Sequence, residues 1–443
     1  MNARESAFRI LQRILHEGAY ANVALRMQLQ RSPMSMQERG LCTELVYGVL
    51  RHLNRLEYIL KKLSKRPLEK MDSVVLLATY LALYQIIYLD RIPAPAAVNE
   101  SVDLVKKFSH IGSAKFTNAV LRSFLRRVKE FGVPTIDEDP IMHVALTYGI
   151  PAWMVVLYKK QWGMEKTLDL GRTWLVPSPN YIRINTLRKN KETIIQEWKQ
   201  ENIIVSPTIL SDCVQIMEGD VTRLQKWLTN GDIYYQDIAS MLVGYAVDPQ
   251  SGEWILDSCA SPGGKSTHMA ALSQNQATII AGDIYPHKVK LIHENANRMG
   301  ASSVQATVRD ATKYIKDDTM RYDKVLVDAP CSGLGVIGRR PDLKWRRSKE
   351  TLAEFPSLQT EILDCAASYV RTGGRLVYST CTLNRSENED VINAFLSKHK
   401  EYHLEPFPLP SIGNVSDGYL TIWPSAHHSD GFFIAVMKKE DCT

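Results

Sequence analysis

The chain lacks any apolar run long enough to cross a membrane. One of its most apolar stretches, Val74 to Leu89, still carries Thr79 and Gln85 and ends at Asp90, short of the roughly 18 unbroken residues a span needs. It opens on Met1-Asn2-Ala3-Arg4-Glu5-Ser6 and continues charged and amphipathic, so no secretion signal is expected. There is no Cys-x-x-Cys, which argues against a structural zinc site, and no bound metal is expected. Cysteines number seven, an odd count that, without an export signal, fits free thiols in a reducing cytoplasm.

What is present is a globular composition, 45% hydrophobic and 23% charged over 443 residues, enough chain for about three domains. Charge is uneven. Residues 1–140 hold 21 Lys or Arg against 14 Asp or Glu, a net of +7, while the whole chain carries +6, which leaves −1 for the rest. An anionic partner docking on the first region would explain this, and so would a mildly basic solvated surface.

The first 140 residues read as all helix. Ser6 to Leu15, Ala21 to Gln28, Glu38 to Leu63, Met71 to Tyr88, Ala97 to Ser109 and Lys115 to Val128 repeat apolar residues at three and four spacing. Arg122 and Arg126 head a cation cluster suited to phosphates of structured RNA. Residues 141–235 read as a linker and a small α+β adaptor, with strands at Tyr181 to Asn185, Cys213 to Met217 and Ile233 to Gln236. From residue 236 to 443 the order turns to α/β. Trp254 to Asp257, Ala277 to Asp283, Ser303 to Val308, Lys324 to Asp328 and Arg375 to Thr380 predict a parallel sheet. Tyr419 to Trp423 and Phe432 to Met437 predict an antiparallel edge hairpin that makes it a mixed sheet of seven strands.

Asp257 to Thr267 is a strand end, a small-residue loop (Cys259, Ala260, Ser261, Pro262, Gly263, Gly264) and a helix start beginning with Lys265. Such a loop lets a ligand approach the backbone and the free N–H groups of the helix. A phosphate loop would need glycine five positions before Gly264, where Cys259 stands, and no Gly-x-Gly-x-x-Gly exists to seat a pyrophosphate. Asp283 closes the second strand, placed for a ribose, and Asp310 follows the third, placed for an adenine amino group. S-adenosylmethionine has both groups and no phosphate. Taken singly, each acid could equally be a helix cap or a surface carboxylate.

Two cysteines fifty positions apart follow the next two strands, in Asp328-Ala329-Pro330-Cys331-Ser332-Gly333 and Ser379-Thr380-Cys381-Thr382. Core thiols, a disulfide, a metal clip or a working couple could all explain them. A couple suits cytosine, whose C5 accepts a methyl group only after a thiolate adds to C6. Together with Lys344-Trp345, Leu358-Gln359, Gly373-Gly374 and Glu387-Asn388-Glu389, these motifs make residues 236–443 resemble the RNA cytosine-5 methyltransferases of the Nop2/Sun family. Residues 1–140 resemble the NusB-type helical RNA-binding domain.

The resemblance implies an all-α NusB-like domain, the adaptor, and a Rossmann-like class I methyltransferase domain that uses S-adenosylmethionine. It implies that Cys381 attacks C6 and that Cys331 assists proton removal and release. Asp328 would hold the cytosine edge with Lys265 beside it, and Cys259 to Lys265, Asp283, Asp310 and Asp328 would line the cofactor pocket. Ser261 stands where the family commonly has alanine. The helical domain points to 16S ribosomal RNA, naked or early in subunit assembly, with nothing requiring more than a monomer; the catalytic motifs alone would suit transfer RNA as well. Arg339, Arg340, Lys344, Arg346 and Arg347 follow the Cys331 loop as a prospective phosphate clamp. His427 and His428 would meet RNA or shape a hairpin loop, and Cys42, Cys213, Cys365 and Cys442 read as incidental or core residues. An amino-group methyltransferase would show Asp/Asn-Pro-Pro-aromatic where Asp328-Ala329-Pro330-Cys331 stands. A non-catalytic RNA-binding factor would have no use for both thiols beside a cofactor loop.

Overall fold

The computed structural model describes residues 2–440; Met1, Asp441, Cys442 and Thr443 lie outside them. The described residues form two compact units, 2–176 with 337–348, and 177–336 with 349–440.

The first unit is helical: α1 Ala3–Leu15, α2 Ala21–Arg31, α3 Met36–Leu63, α4 Ser73–Tyr88, α5 Ala94–Phe108, α6 Ile111–Arg126, α7 Pro140–Tyr148 and α8 Ala152–Leu175. Local chemistry sets the starts. Asn2 and Asp72 cap α1 and α4, and Ser35 with Glu38 forms a reciprocal capping box on α3. α4 buries residues on every face, from Val75 to Gln85, as the central helix of a bundle must. Residues 141–176, read above as the adaptor's beginning, pack with this unit. α8 runs for 24 residues through a break at Gly163. No single helix among the described residues is long and apolar enough to cross a membrane.

Residues 337–348 belong to the helical unit despite their place in the sequence. Next to a break in α3 at His52, Lys344 donates to the carbonyls of Arg51 (2.9 Å) and Gly149 (2.6 Å), and Trp345 Nε1 to that of Leu50 (2.6 Å). Side chains inserted at a helical ladder are one recognised cause of such breaks. Lys344 was expected to face phosphate and does not: it is 2% exposed, because backbone carbonyls supply the partners that water would. Arg346 is likewise occupied, donating to the Gly18 and Ala19 carbonyls with its guanidinium 4.0 Å from the Tyr20 ring centroid.

The second unit begins with a four-stranded antiparallel sheet of β1 Asn180–Ile184, β2 Ile204–Pro207, β3 Cys213–Glu218 and β4 Ile233–Tyr235, in the order β2-β3-β1-β4. Trp198 and Trp227 pack edge to face beneath it. The large sheet follows, with β5 Trp254–Asp257, β6 Thr278–Asp283, β7 Val304–Val308, β8 Tyr322–Asp328 and β9 Val370–Thr380 mutually parallel. Next come β10 Tyr402–Leu404, the small β11–β12 pair (Phe407–Leu409, Gly413–Val415), β13 Tyr419–Ile422 and β14 Phe432–Lys439. The order is β10-β14-β9-β8-β5-β6-β7, and β13 also pairs with β14, whose contacts are all antiparallel. All seven expected strands are present, and β10 is an eighth. Apolar side chains from both faces of this sheet fill the main cores, among them Ile255, Leu326 and Val377 on one side and Leu256, Val325 and Tyr378 on the other.

Candidate active site

Because β5, β6, β8 and β9 run parallel, their carboxyl ends bring Asp257, Asp283, Asp328 and Thr380 to one edge of the sheet, where the strand order reverses about β5. Open α/β sheets bind ligands at such a switch point. Gly263 begins the helix Gly264–Leu272 at φ 96°, a left-handed conformation that favours glycine.

A buried arginine from the adaptor braces that helix. Arg183 of β1 donates to Gln236 Oε1 (2.6 Å), the Gly264 carbonyl (2.7 Å) and Thr267 Oγ1 (2.9 Å). A lone arginine in a strand carries no sequence signal of such a role.

Lys265 is the one cation of the loop, and its ammonium lies 2.7 Å from Asp328 Oδ2, while Asp328 Oδ1 accepts from Ser379 Oγ at 2.8 Å. Burial opposes the ammonium charge, but Asp328 outweighs it and holds the group above its ordinary value. A lysine so committed is poorly placed for a phosphate. Asp283 accepts from the Tyr285 N–H (3.0 Å), and Ile284 and Tyr285 beside it are exposed, an apolar surface next to a carboxylate. That set of groups fits a purine nucleoside: the carboxylate to accept from ribose hydroxyls, the apolar side chains for the base. Asp310 spends Oδ1 on Thr312, accepting from its N–H at 3.0 Å and its hydroxyl at 2.7 Å.

The two cysteines meet. β8 and β9 are neighbours with Asp328 opposite Ser379, so the loops that follow them lie side by side, and Cys331 Sγ is 3.2 Å from Cys381 Sγ. Neither is in a disulfide and both are partly exposed. The hydrogen bond with Cys381, then burial, raise the Cys331 thiol well above its ordinary value. Cys259, in the cofactor loop, is raised by burial. Of the prospective phosphate contacts, Arg122, Arg126 and Arg340 are exposed and Arg339 is half-buried. His427 ends a short helix, Pro424–His427, between β13 and β14.

Comparison with known proteins agrees with this geometry. Residues 244–438 match the family described as 16S rRNA methyltransferase RsmB/F, residues 1–126 the NusB family, and residues 150–222 the ferredoxin-like domain of RsmF/B-like methyltransferases. The chain is 38% identical, over 99% of both chains, to the probable ribosomal RNA small subunit methyltransferase B of Bacillus subtilis. It is 37% identical to that of Synechocystis, over 99% of this chain and 100% of the relative. Among solved structures it resembles PH0851, with a TM-score of 0.84 and 27% identity over 98% of this chain and 99% of the other. NSun6 from Pyrococcus horikoshii gives 0.57 and 25% over 66% of this chain and 98% of that one. The chain therefore belongs to the RsmB/F family of 16S rRNA methyltransferases, and its second unit carries an S-adenosylmethionine-dependent methyltransferase.

Proposed function

We propose that the protein methylates C5 of a cytosine in 16S ribosomal RNA through a covalent bond between Cys381 and C6. When bound, S-adenosylmethionine supplies the methyl group. Asp328 accepts from the cytosine amino edge, and Lys265 orients that carboxylate. Cys381 Sγ adds to C6 and makes C5 enamine-like and nucleophilic. After methylation the Cys331 side assists loss of the C5 proton, and the C6–S bond breaks, returning Cys381. The base must leave its stack for both ring faces to be reached.

The observation that carries this reading is the 3.2 Å approach of the Cys331 and Cys381 thiols beside the Lys265–Asp328 pair. A single nucleophile would not need a second thiol at that distance. Asp283 and Asp310 are proposed for the ribose and adenine, and residues Cys259 to Gly264 for the loop against the cofactor. Arg122, Arg126, Arg339 and Arg340 are proposed as RNA contacts. The division of labour between an RNA-binding module (1–140), an adaptor (141–235) and a catalytic module (236–443) belongs to the same proposal, with residues 141–176 and 337–348 packed into the helical unit, as does action as a monomer.

Incubating Cys381→Ala and Cys331→Ala variants with 16S RNA and cofactor tests the role split. Cys381→Ala should give neither product nor covalent complex, and Cys331→Ala should accumulate the complex. Methylated product from Cys381→Ala would overturn the assignment.

A further inference from the structure

Glu387 has no place in the scheme above, yet it is wholly buried between the two cysteine loops, and no cation pairs with it among the described residues. Five donors converge on its carboxylate. Oε2 accepts from the Ser332 N–H (2.8 Å) and Gln359 Nε2 (3.2 Å). Oε1 accepts from Ser332 Oγ (2.5 Å), Asn384 Nδ2 (3.0 Å) and Thr382 Oγ1 (3.5 Å). Gln359 Nε2 also donates to the Pro330 carbonyl at 2.9 Å, and the Ser332 and Thr382 hydroxyls lie 2.9 Å apart. One carboxylate thus holds Ser332, the neighbour of Cys331, and Thr382, the neighbour of Cys381.

The chemistry of the cluster explains why the residue is an acid. An ionised carboxylate offers acceptor sites only, and every group facing it is a donor. Glutamine in its place would turn an NH₂ toward other N–H groups. Burying an unpaired charge is costly unless hydrogen bonds replace its water. Five of them do so here, and the charge stays unneutralised beside Cys331.

We propose that Glu387 is the positioning residue of the cysteine pair: it clamps both loops at one thiol–thiol distance and puts a fixed negative charge on the Cys331 side, so that the two thiols enter the reaction unlike each other. The inference rests on the reading that Cys381 attacks and Cys331 releases. The charge of Glu387 is one of the influences that raise the Cys331 thiol, after the Cys381 hydrogen bond, burial and the Cys381 charge.

Glu387→Gln and Glu387→Ala, made in the full chain, test it with full-length 16S RNA and labelled S-adenosylmethionine. A residue that fixes reacting groups should lower kcat by about ten- to a hundredfold, with KM for RNA and calorimetric cofactor affinity within about threefold of wild type. In a Cys381→Ala background, the pH profile of Cys331 alkylation by iodoacetamide should move to lower pH by about one unit in Glu387→Gln, as removal of a neighbouring like charge requires. Wild-type kcat in Glu387→Gln, or an unmoved alkylation profile, overturns the proposal. Should Glu387→Ala not fold, Glu387→Gln, which keeps the volume, decides alone. The alkylation profile needs neither RNA nor turnover, so it separates failure of this inference from failure of the role split, which product formed by Cys381→Ala would reveal.

Discussion

Asp257 ends β5 wholly buried, with Oδ2 accepting from Ser266 Oγ at 2.7 Å and Oδ1 without a partner among the described residues. Burial, against the Ser266 hydrogen bond and helped by the charge of Asp328, pushes its carboxyl up to about 7 from the ordinary 3.8. The folded value lies above the unfolded one, so its contribution to stability is intact below about pH 4 and is lost as pH rises through about 7. Asp257→Asn should therefore gain on wild type between those limits, by a few kcal/mol at most. Urea denaturation of both proteins across that range checks it, and parallel stability curves would remove Asp257 as the source. The motif around Asp257 was legible in the sequence; its burial was not, because a strand-end aspartate reads the same whether it faces a ligand or a core. Lys344 shows the same blindness from the opposite side. In a run of five cations it looks like a phosphate contact, and only the carbonyls of Arg51 and Gly149 reveal where its charge rests. Cys331 and Cys381 were readable because each directly follows a buried strand, and the pairing of β8 with β9 is what turns fifty residues of separation into contact.

Among the elements, those with a strong repeat were readable and those fixed by distant contacts were not. The six helices α1 to α6 and seven strands of the large sheet follow from apolar periodicity. β2 and β10 span four and three residues and carry no pattern of their own; pairing with β3 and β14 defines them. The α7–α8 corner depends on Gly149, which ends α7 at φ 64°. A Cβ there would stand 1.9 Å from the Arg51 carbonyl oxygen, the same oxygen that accepts from Lys344. Gly149→Ala should thus destabilise the helical unit by more than about 2 kcal/mol, combining backbone strain with a steric clash against backbone. A denaturant midpoint equal to that of wild type would show that the corner relaxes freely.

For the molecule as a whole, the uneven charge makes a quantitative claim. Arg122 and Arg126 are exposed on α6, in the region with the +7 excess. If both contact phosphate, Arg122→Gln/Arg126→Gln should reduce the slope of log affinity against log salt by roughly 1 to 2 and weaken RNA binding most at low salt. Fluorescence anisotropy over a salt series measures this, and an unaltered slope would remove α6 from the RNA-binding surface. Truncation at residue 140 would be a poorer test, since residues 141–176 and 337–348 share the helical unit.

That shared membership also bears on synthesis. The helical unit is interrupted by the 160 residues from Pro177 to Val336 (336 − 176 = 160), and the side chains that satisfy the broken ladder of α3, Lys344 and Trp345, lie beyond them. At the usual pace of about 5–20 residues per second, a ribosome needs roughly 10–30 s to deliver them after α8 has emerged. Through that interval the bundle exists without its last contributors, and a domain that begins first along the chain is completed only after most of the second has been made.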